Sequence, residues 1–310
     1  MMHSSLGSLV RLVPTARNRG RNRDTAHALP STSTRAANIQ GAGPRLPVLI
    51  VSDLDGTMVG NDEYTLAFRQ FWESESKPSG SKIVYSTGRS FDSFAKLMEE
   101  KADVLVEPDG LICSVGTKIF QRSDTNGWVK DHGWTDKLDA NWSAELVIQA
   151  VDAAIKECGA ENAHFRPADE QNEHKVTVGV KDEFVSTVQR IVHKACERDG
   201  IDVKIITSGS GGWKFIDCVS SAAGKLESLE HVREKLGFGL LETVACGDSG
   251  NDILMLAGDT RCIVVGNAQP DLLDWANERL GTSRDLKKRF FLATEHEALG
   301  ILQGIRSFYW

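Results

Sequence analysis

A short apolar run, residues 46–52, ends abruptly in two aspartates, Asp53 and Asp55, that are separated by one residue. A continuous apolar run of this length, bounded by a turn signal, is typical of a strand that is buried on both faces. Three further segments of the same kind are predicted as strands, residues 82–86, 241–246 and 262–265. Polar, glycine-containing loops follow these strands. The sequence therefore predicts an α/β fold with a doubly wound (Rossmann-like) parallel sheet, whose site lies at the carboxyl ends of the strands.

The middle of the chain, residues 120–220, has a different pattern. It combines helical periodicity with stretches of strand-like alternation. The predicted helices are residues 144–157 and 183–199, and the predicted strands are residues 175–180 and 203–207. Such a mixture is typical of a compact α+β module. We therefore expect a core made of residues 47–119 and 221–310, with an α+β cap domain inserted at residues 120–220.

Residues 1–46 differ in composition from the rest of the chain. They contain seven Arg, no Lys and a single acidic residue, Asp24. An Arg-rich and acid-poor N-terminal segment is typical of organellar transit peptides, and a merely disordered extension has the same composition. We leave this leader out of the fold prediction. If it is a transit peptide, the expected compartment is the chloroplast or another plastid; otherwise it is the cytoplasm.

Composition and charge exclude several classes of function. The formal net charge of −7 argues against a nucleic-acid binder with a basic surface. No uncharged apolar run approaches the ~18 residues that a membrane span needs, so an integral membrane function is not expected. The six Cys show no CxxC pair and no zinc-like spacing, and we expect them to be reduced residues of the core.

The acidic residues at the predicted strand ends point to metal-assisted chemistry. Asp53 and Asp55 follow the first strand, and Asp248 and Asp252 follow residues 241–246. Carboxylates placed so close together repel each other unless a cation lies between them, and hard oxygen ligands suit Mg²⁺. Four carboxylates exceed the needs of one metal shell, which leaves one or two for chemistry. Asp53 is predicted as a nucleophile that attacks phosphorus, and Asp55 as the general acid/base.

Two further residues could stabilise a transferring phosphoryl group. Thr87 ends the second predicted strand, and Lys225 stands at a predicted helix start, where the helix dipole also attracts phosphate. Taken alone, each of these motifs can be explained by an ordinary structural element. An isolated Asp-x-Asp is most often a turn, and residues 247–252 could be a loop or a calcium site. Their common order, each after a strand, favours phosphoryl transfer.

In this order the motifs resemble those of the haloacid dehalogenase superfamily of aspartate-nucleophile phosphatases. The four motifs are DLDGT (53–57), STGR (86–89), GK (224–225) and GDSGND (247–252). More narrowly, the chain resembles the sucrose-phosphate phosphatase family, over nearly all of residues 48–308. The stretches most specific to that family are DHGW, within residues 129–134, and NAQPDLLDW, at residues 267–275.

The resemblance implies Mg²⁺-dependent hydrolysis of sucrose 6-phosphate to sucrose and phosphate. The matching positions are Asp53 as nucleophile, Asp55 as acid/base, and Thr87 and Lys225 as phosphate-stabilising residues. Metal would be bound by Asp53, Asp55 through its backbone carbonyl, Asp248 and Asp252. Asn251 would contact phosphate or order its loop, and Gly88 and Arg89 would contact substrate. A second role of Arg89 is equally favoured, in which it only forms an ion pair with an acidic residue at the strand end.

The cap carries specificity in this family, and there the match is weaker. Gln171 and Lys175 stand where the family places a Gln and a Lys near the sugar. Glu173 replaces a usual Pro, and Phe215 and Ser220 replace an Asp and a Pro near the matching Asp217. The predicted site therefore has a secure catalytic part and an unusual sugar-binding part.

These departures keep three functions open. The leading one is sucrose-phosphate phosphatase. The first alternative has the same chemistry on another sugar phosphate or a glycosyl-glycerate phosphate. The second is a non-catalytic phosphatase-like partner of a sugar-phosphate synthase. An active enzyme could also have sucrose-phosphate synthase as its partner.

His132 and Trp134 could stack on a sugar, although core packing is the favoured role of both.

Overall fold

The structure is a computed structural model that describes residues 46–123, 125–209, 211–282 and 286–309. The predicted leader, residues 1–46, lies outside these residues except for Leu46. The strands are β1 (Leu49–Ser52), β2 (Lys82–Ser86), β3 (Gly110–Cys113), β4 (Lys118–Ser123), β5 (Gly127–Lys130), β6 (Ala163–Phe165), β7 (Lys175–Lys181), β8 (Val203–Ser208), β9 (Trp213–Ser220), β10 (Thr243–Gly247), β11 (Arg261–Val264) and β12 (Phe290–Leu292). The helices are α1 (Asp62–Phe71), α2 (Phe91–Glu100), α3 (His132–Leu138), α4 (Ala144–Cys158), α5 (Val185–Arg198), α6 (Lys225–Leu236), α7 (Ile253–Leu256), α8 (Pro270–Thr282), α9 (Leu286–Arg289) and α10 (Glu297–Tyr309).

A large eight-stranded sheet carries three of the four predicted motifs, those that follow or end β1, β2 and β10. Its strand order is β12-β11-β10-β1-β2-β3-β4-β5, and the strands from β12 to β3 are parallel. The last two strands, β4 and β5, run antiparallel to their neighbours. The predicted doubly wound α/β sheet is therefore confirmed. The motif-bearing strands β1, β2 and β10 lie side by side, which brings their polar carboxyl-end loops together.

Both faces of this sheet are covered, which explains the uninterrupted apolar run of β1. Ile50 packs with α1, α2 and α10 on one face. Leu49 and Val51 point to the other face and pack with α6, α7 and α8. Successive side chains of a strand alternate between the faces of its sheet. A strand in this position must therefore be apolar at every residue.

A second, four-stranded antiparallel sheet has the order β6-β7-β9-β8. Helices α4 and α5 pack on one of its faces, through the apolar side chains of Val176, Val178, Ile216 and Cys218. The intervening residues of the same strands lie on the opposite face. This second sheet provides the α+β module that was predicted within residues 120–220.

The division of the chain into a core and a cap remains a proposal. Strands β4 and β5 fall within residues 120–220 for the most part, yet they pair in the large sheet. This pairing favours a first boundary after β5 rather than at residue 119. Elsewhere the predicted segments agree closely with the elements of the second sheet and its helices.

The six cysteines of the chain are free and buried. Three belong to the large sheet: Cys113, Cys246 and Cys262. The others, Cys158, Cys196 and Cys218, belong to the core of the second sheet and its helices. Burial raises the pKa of all six thiols, so none is an activated nucleophile. Within the residues that the structure describes, we find no helix with the length and apolarity of a membrane span.

Candidate active site

A buried ion-pair cluster lies at the carboxyl ends of the central strands. Asp53 directly follows β1, and its amide is hydrogen-bonded to the carbonyl of Cys246 on β10 at 3.0 Å. Lys225, the first residue of α6, extends its Nζ to 2.6 Å from Asp53 Oδ1 and also to 2.6 Å from Asp252 Oδ1. All three side chains are almost completely buried. The cluster therefore joins three motifs that are far apart in the sequence.

The loop after β10 places the other two carboxylates. Asp252 accepts hydrogen bonds from the backbone amides of Asp248 and Ser249, at 3.1 and 3.2 Å. Asp248 accepts a 2.8 Å hydrogen bond from Thr57 Oγ1, which belongs to the loop after β1. This close approach of the two loops requires a glycine at position 56, because a Cβ atom on Gly56 would lie only 2.7 Å from Asp248 Oδ2. The two loops thus hold each other in position.

Negative charge exceeds positive charge in this cluster. Burial raises the pKa of Asp53 to about 8, against the opposing charge of Lys225, and raises the pKa of Asp248 to about 6. Burial alone would lower the pKa of Lys225, but the carboxylates of Asp252 and Asp53 raise it instead. One ammonium group therefore leaves the carboxylates incompletely neutralised.

The same carboxylates could hold a metal ion. Asp53, Asp248 and Asp252 each offer a carboxylate oxygen, and these atoms lie within 4.8 Å of one another. An all-oxygen set with excess negative charge, closed on one side by the Gly56 turn, fits a hard divalent cation. The donor set agrees with three of the four predicted metal residues. The fourth, Asp55, was expected to contribute only its backbone carbonyl.

The side chain of Asp55 lies outside the buried cluster. Its carboxylate is 54% exposed and accepts two hydrogen bonds from the Arg89 guanidinium, at 2.7 and 2.8 Å. Arg89 also donates to Ser93 Oγ on α2 at 3.1 Å. Of the two roles left open for Arg89, the structure shows the pairing with an acid at the strand end. An acid–base role for Asp55 requires that this pair opens.

Two further residues, Asn251 and Thr87, were predicted to bind phosphate. Asn251 Oδ1 lies 3.2 Å from Lys225 Nζ. Thr87 is buried at the end of β2, and its hydroxyl accepts the backbone amide of Arg89 at 3.2 Å. Gly88, Lys225 and Asn251 line one cavity of about 160 Å³. The structure thus brings the residues of the second, third and fourth motifs to one cavity.

The second sheet supplies the other part of this cavity. The lining residues from its loops and strands are Glu170, Lys175, Thr177, Ile206, Ser208, Phe215 and Asp217. Lys175 is buried and its Nζ lies 3.3 Å from Asp217 Oδ1, while Thr177 Oγ1 donates a hydrogen bond to the same carboxylate. The cavity is therefore shared between catalytic motifs and the module that the sequence assigns to specificity.

Gln171 does not line this cavity, although the resemblance places it near the sugar. Its Nε2 donates to the carbonyls of Arg166 and Thr177, both at 2.9 Å, and its Oε1 accepts the amide of Thr177 at 2.7 Å. These backbone contacts make Gln171 a residue that shapes the loop before β7. Phe215, which lines the cavity, is a departure from the family pattern and was not predicted as a site residue. Its spacing of two from Asp217 was the available signal.

Glu173 links the loop before β7 to the large sheet. Its carboxylate lies 2.8 Å from Lys130 Nζ on β5 and 3.4 Å from Lys118 Nζ on β4. Burial opposes ionisation, but the hydrogen bond from Lys130 and the charge of Lys118 lower the pKa of Glu173 to about 2. The replacement of the usual Pro therefore adds an ionic contact that anchors the loop leading to Lys175.

Trp134 and His174 have structural roles. Trp134 is buried and donates from Nε1 to the carbonyl of Gly116 at 3.0 Å. His174 is also buried, and its Nε2 lies 2.7 Å from Asp139 Oδ1. Neither side chain lines the shared cavity. The expected core role of Trp134 is confirmed, whereas that of His132 is wrong, because His132 is exposed on α3.

Comparison with known proteins identifies the family. The chain matches the sucrose-6F-phosphate phosphohydrolase family over residues 46–309. It belongs to this family. A sucrose-phosphatase from Nicotiana tabacum is 35% identical over 269 residues, which cover 84% of this chain and 59% of the relative. A mannosylfructose-phosphate phosphatase from Agrobacterium fabrum is 28% identical over 261 residues, which cover 83% of this chain and 95% of the relative.

A solved structure supports the same assignment of the fold. The sucrose-phosphatase from Synechocystis sp., determined in complex with sucrose and phosphate, aligns with a TM-score of 0.70 and 28% sequence identity. The alignment covers 85% of this chain and 98% of that protein. This family member therefore has the haloacid dehalogenase-like α/β fold. The chain spans only 59–60% of the length of the first plant relatives that it matches.

Proposed function

We propose that this chain hydrolyses sucrose 6-phosphate to sucrose and inorganic phosphate. The observation that carries the proposal is the shared cavity, in which the Lys225 end of the carboxylate cluster meets polar side chains of the second sheet. Such a cavity can hold a phosphate group and its leaving group together. Family membership supports sucrose 6-phosphate as the substrate.

Asp53 is the proposed nucleophile. One oxygen of its carboxylate forms a bond to phosphorus while the bond from phosphorus to the sugar oxygen breaks, which gives an aspartyl-phosphate. Asp55 donates a proton to the leaving oxygen once its pair with Arg89 has opened. Asp55 then accepts a proton from water, whose oxygen attacks phosphorus and releases phosphate and Asp53. Lys225, Thr87 and Asn251 would bind the phosphoryl oxygens.

Mg²⁺ is the proposed cofactor, held by Asp53, Asp248 and Asp252, with the Asp55 carbonyl as a further ligand. When bound, the ion supplies positive charge that offsets the repulsion between the phosphate dianion and the attacking carboxylate. The role of the chain is to present these carboxylates in a buried, preformed group. Thr57 and the amides of Asp248 and Ser249 orient two of them.

The buried carboxylates predict a pH-dependent stability of the metal-free protein. Because the pKa values of Asp53 and Asp248 are raised on folding, the folded state binds more protons than the unfolded state between about pH 4 and pH 8. Stability contributed by these groups is therefore lost as the pH rises through that window. In EDTA we expect the Tm to fall by about 5 °C or more from pH 5 to pH 8.

Added Mg²⁺ is expected to raise the Tm more at pH 8 than at pH 5, because the ion binds ionised carboxylates. Thermal unfolding followed by circular dichroism measures both effects. Asp53→Asn is the matched control, since it removes the carboxyl group with the higher of these two raised pKa values and should flatten the pH dependence. A Tm increment from Mg²⁺ that is the same at both pH values would contradict the proposed site.

The activity is tested by phosphate release from the full chain with Mg²⁺, using a panel of phosphate esters. Sucrose 6-phosphate should exceed monosaccharide phosphates and glycerol 3-phosphate in kcat/KM by at least about tenfold. Another disaccharide phosphate belongs in the panel, because the Agrobacterium relative is named for mannosylfructose phosphate and Glu173 and Phe215 depart from the family pattern. A preference for that ester would keep the chemistry and replace the substrate.

Two further parts of the proposal concern the cellular setting. A sucrose-phosphate synthase is a proposed partner, since it would supply the substrate; co-purification from plant extract with the tagged chain tests this. Plastid targeting by residues 1–46 is proposed from their composition, and a fluorescent-protein fusion of that segment tests it.

A further inference from the structure

The face of the second sheet that is turned away from α4 and α5 has an unusual composition. In the strand register, Thr177, Asp217 and Ile206 lie side by side, and Gly179, Phe215 and Ser208 form the next row. Residues paired in this way share one face of the sheet. All of them except Gly179 line the cavity that also contains Lys225. A large aromatic ring therefore stands next to a buried ion pair within the proposed active site.

Phe215 is incompletely buried, in contrast to the aromatic side chains of the cores. Its exposed fraction is 37%, and it is the only Phe, Tyr or Trp of the described residues that lines this cavity. The position beside it on β7 is Gly179, so no side chain from that strand covers the ring. The ring therefore presents apolar surface to the cavity, where the apolar face of a ligand could cover it.

The ring is held in a defined position from one side. The Arg166 guanidinium lies over it, 4.8 Å from the ring centroid, and is itself fixed by Glu170 at 2.6 and 3.0 Å. A cation over one face of an aromatic ring is a stabilising arrangement. The surface that Phe215 contributes to the cavity is therefore its remaining face and edge, in a rigid orientation.

The neighbouring polar groups complement hydroxyl groups. Asp217 can accept hydrogen bonds and Lys175 can donate them, and their 3.3 Å contact fixes both at the edge of the cavity. A sugar ring has a patch of C–H groups on its face and hydroxyl groups around its edge. An aromatic surface beside a fixed donor–acceptor pair matches both parts of that pattern.

We propose that Phe215 is a stacking platform for the sugar, beside Asp217 and beside Lys175, which the family resemblance already places near the sugar. This inference rests on the proposed function and names the residues that would recognise the leaving group. It assigns a binding role to Phe215, which replaces an Asp of the family pattern. The aromatic ring would replace the hydrogen bonds of an acidic residue by apolar contact with the face of the sugar.

The test compares Phe215→Leu and Phe215→Ala with Phe215→Tyr in the full chain. Phe165→Ala is the matched control, because Phe165 is also a 37% exposed aromatic residue of the second sheet but does not line this cavity. We expect Phe215→Leu and Phe215→Ala to raise KM for the preferred sugar phosphate roughly tenfold. KM for glycerol 3-phosphate, which has no ring, should change less than about twofold. Phe215→Tyr keeps an aromatic ring and should raise KM for the sugar phosphate less than Phe215→Leu does, and Phe165→Ala should resemble the unchanged chain.

Calorimetric titration with sucrose, in the presence of Mg²⁺ and inorganic phosphate, provides a readout without turnover. Weaker sucrose binding in Phe215→Leu than in Phe215→Tyr would support the platform. Equal KM changes for both esters, or sucrose binding that is unaffected by Phe215→Leu, would overturn it. If the unchanged chain hydrolyses no ester, the proposed function fails, and the calorimetric comparison alone then decides for or against the subsite.

Discussion

Replacing Asp53 by Asn is expected to lower kcat for every phosphate ester roughly 10³-fold or more, because the amide cannot form the covalent bond to phosphorus. The substitution keeps the size of the side chain, and Asn can still accept the 2.6 Å hydrogen bond from Lys225. The fold should therefore persist. In EDTA the variant should even be more stable than the unchanged chain near pH 8, because it removes a buried carboxylate whose ionisation burial opposes.

Two measurements are needed for this variant: initial rates of phosphate release and thermal unfolding. Asp136→Asn, on the exposed surface of α3, is the control for the chemical change itself and should alter neither quantity. Turnover by Asp53→Asn within about tenfold of the unchanged chain would mean that another group attacks phosphorus. In that case the carboxylate cluster would serve only to bind the phosphate ester.

Replacing Lys225 by Met should have the largest effect on stability. Lys225 is buried between Asp53 and Asp252, so its removal leaves two buried carboxylates without their cationic partner. Breaking a buried ion pair from one side costs about 3–5 kcal/mol in the free energy of unfolding. We expect a loss of this size in urea unfolding at neutral pH, together with loss of activity. The loss should shrink toward pH 5, where the carboxylates can take up protons.

The double variant Lys225→Met, Asp252→Asn tests the cause of this loss. Removing one of the stranded carboxylates should restore part of the stability, and a double-mutant cycle gives the coupling between the two residues. Lys96→Met is the matched control, since the Lys96 side chain is 77% exposed and its ion pair with Glu100 lies at the surface. It should cost less than about 0.5 kcal/mol. Equal stability of Lys225→Met and Lys96→Met would contradict the role of the buried ammonium group.

The parts of the fold that follow a simple periodicity could be predicted from the sequence. Strand β1, predicted from an apolar run, is buried on both faces, and helix α4 differs from its predicted end by one residue. Strands β4 and β5 could not be assigned correctly in this way. The burial of β4 shows no regular alternation, and only the pairing of β3 with β4 shows to which sheet the two strands belong.

In the candidate site, too, some features could be predicted from the sequence and others could not. Motif order indicated that Asp53, Lys225, Asp248 and Asp252 act together, and the structure places them in one cluster. The family pattern also put Gln171 near the sugar. The position of an amide depends on the loop around it, however, and here backbone groups of Arg166 and Thr177 are its hydrogen-bond partners. The position of Phe215 in the cavity follows only from the register of β7, β8 and β9, which puts it on the same face of the sheet as Asp217, one row away.

The six buried thiols, three in each module, can report local unfolding of either module. Alkylating reagents can modify a buried cysteine only after the structure around it has opened. Cys113, Cys246 and Cys262 would report opening of the large sheet, and Cys158, Cys196 and Cys218 would report opening of the second sheet and its helices. Mass spectrometry of the labelled peptides can thus separate the local unfolding of the two modules without any engineered label. Sugar and phosphate ligands, added singly, would then reveal which module each one holds closed.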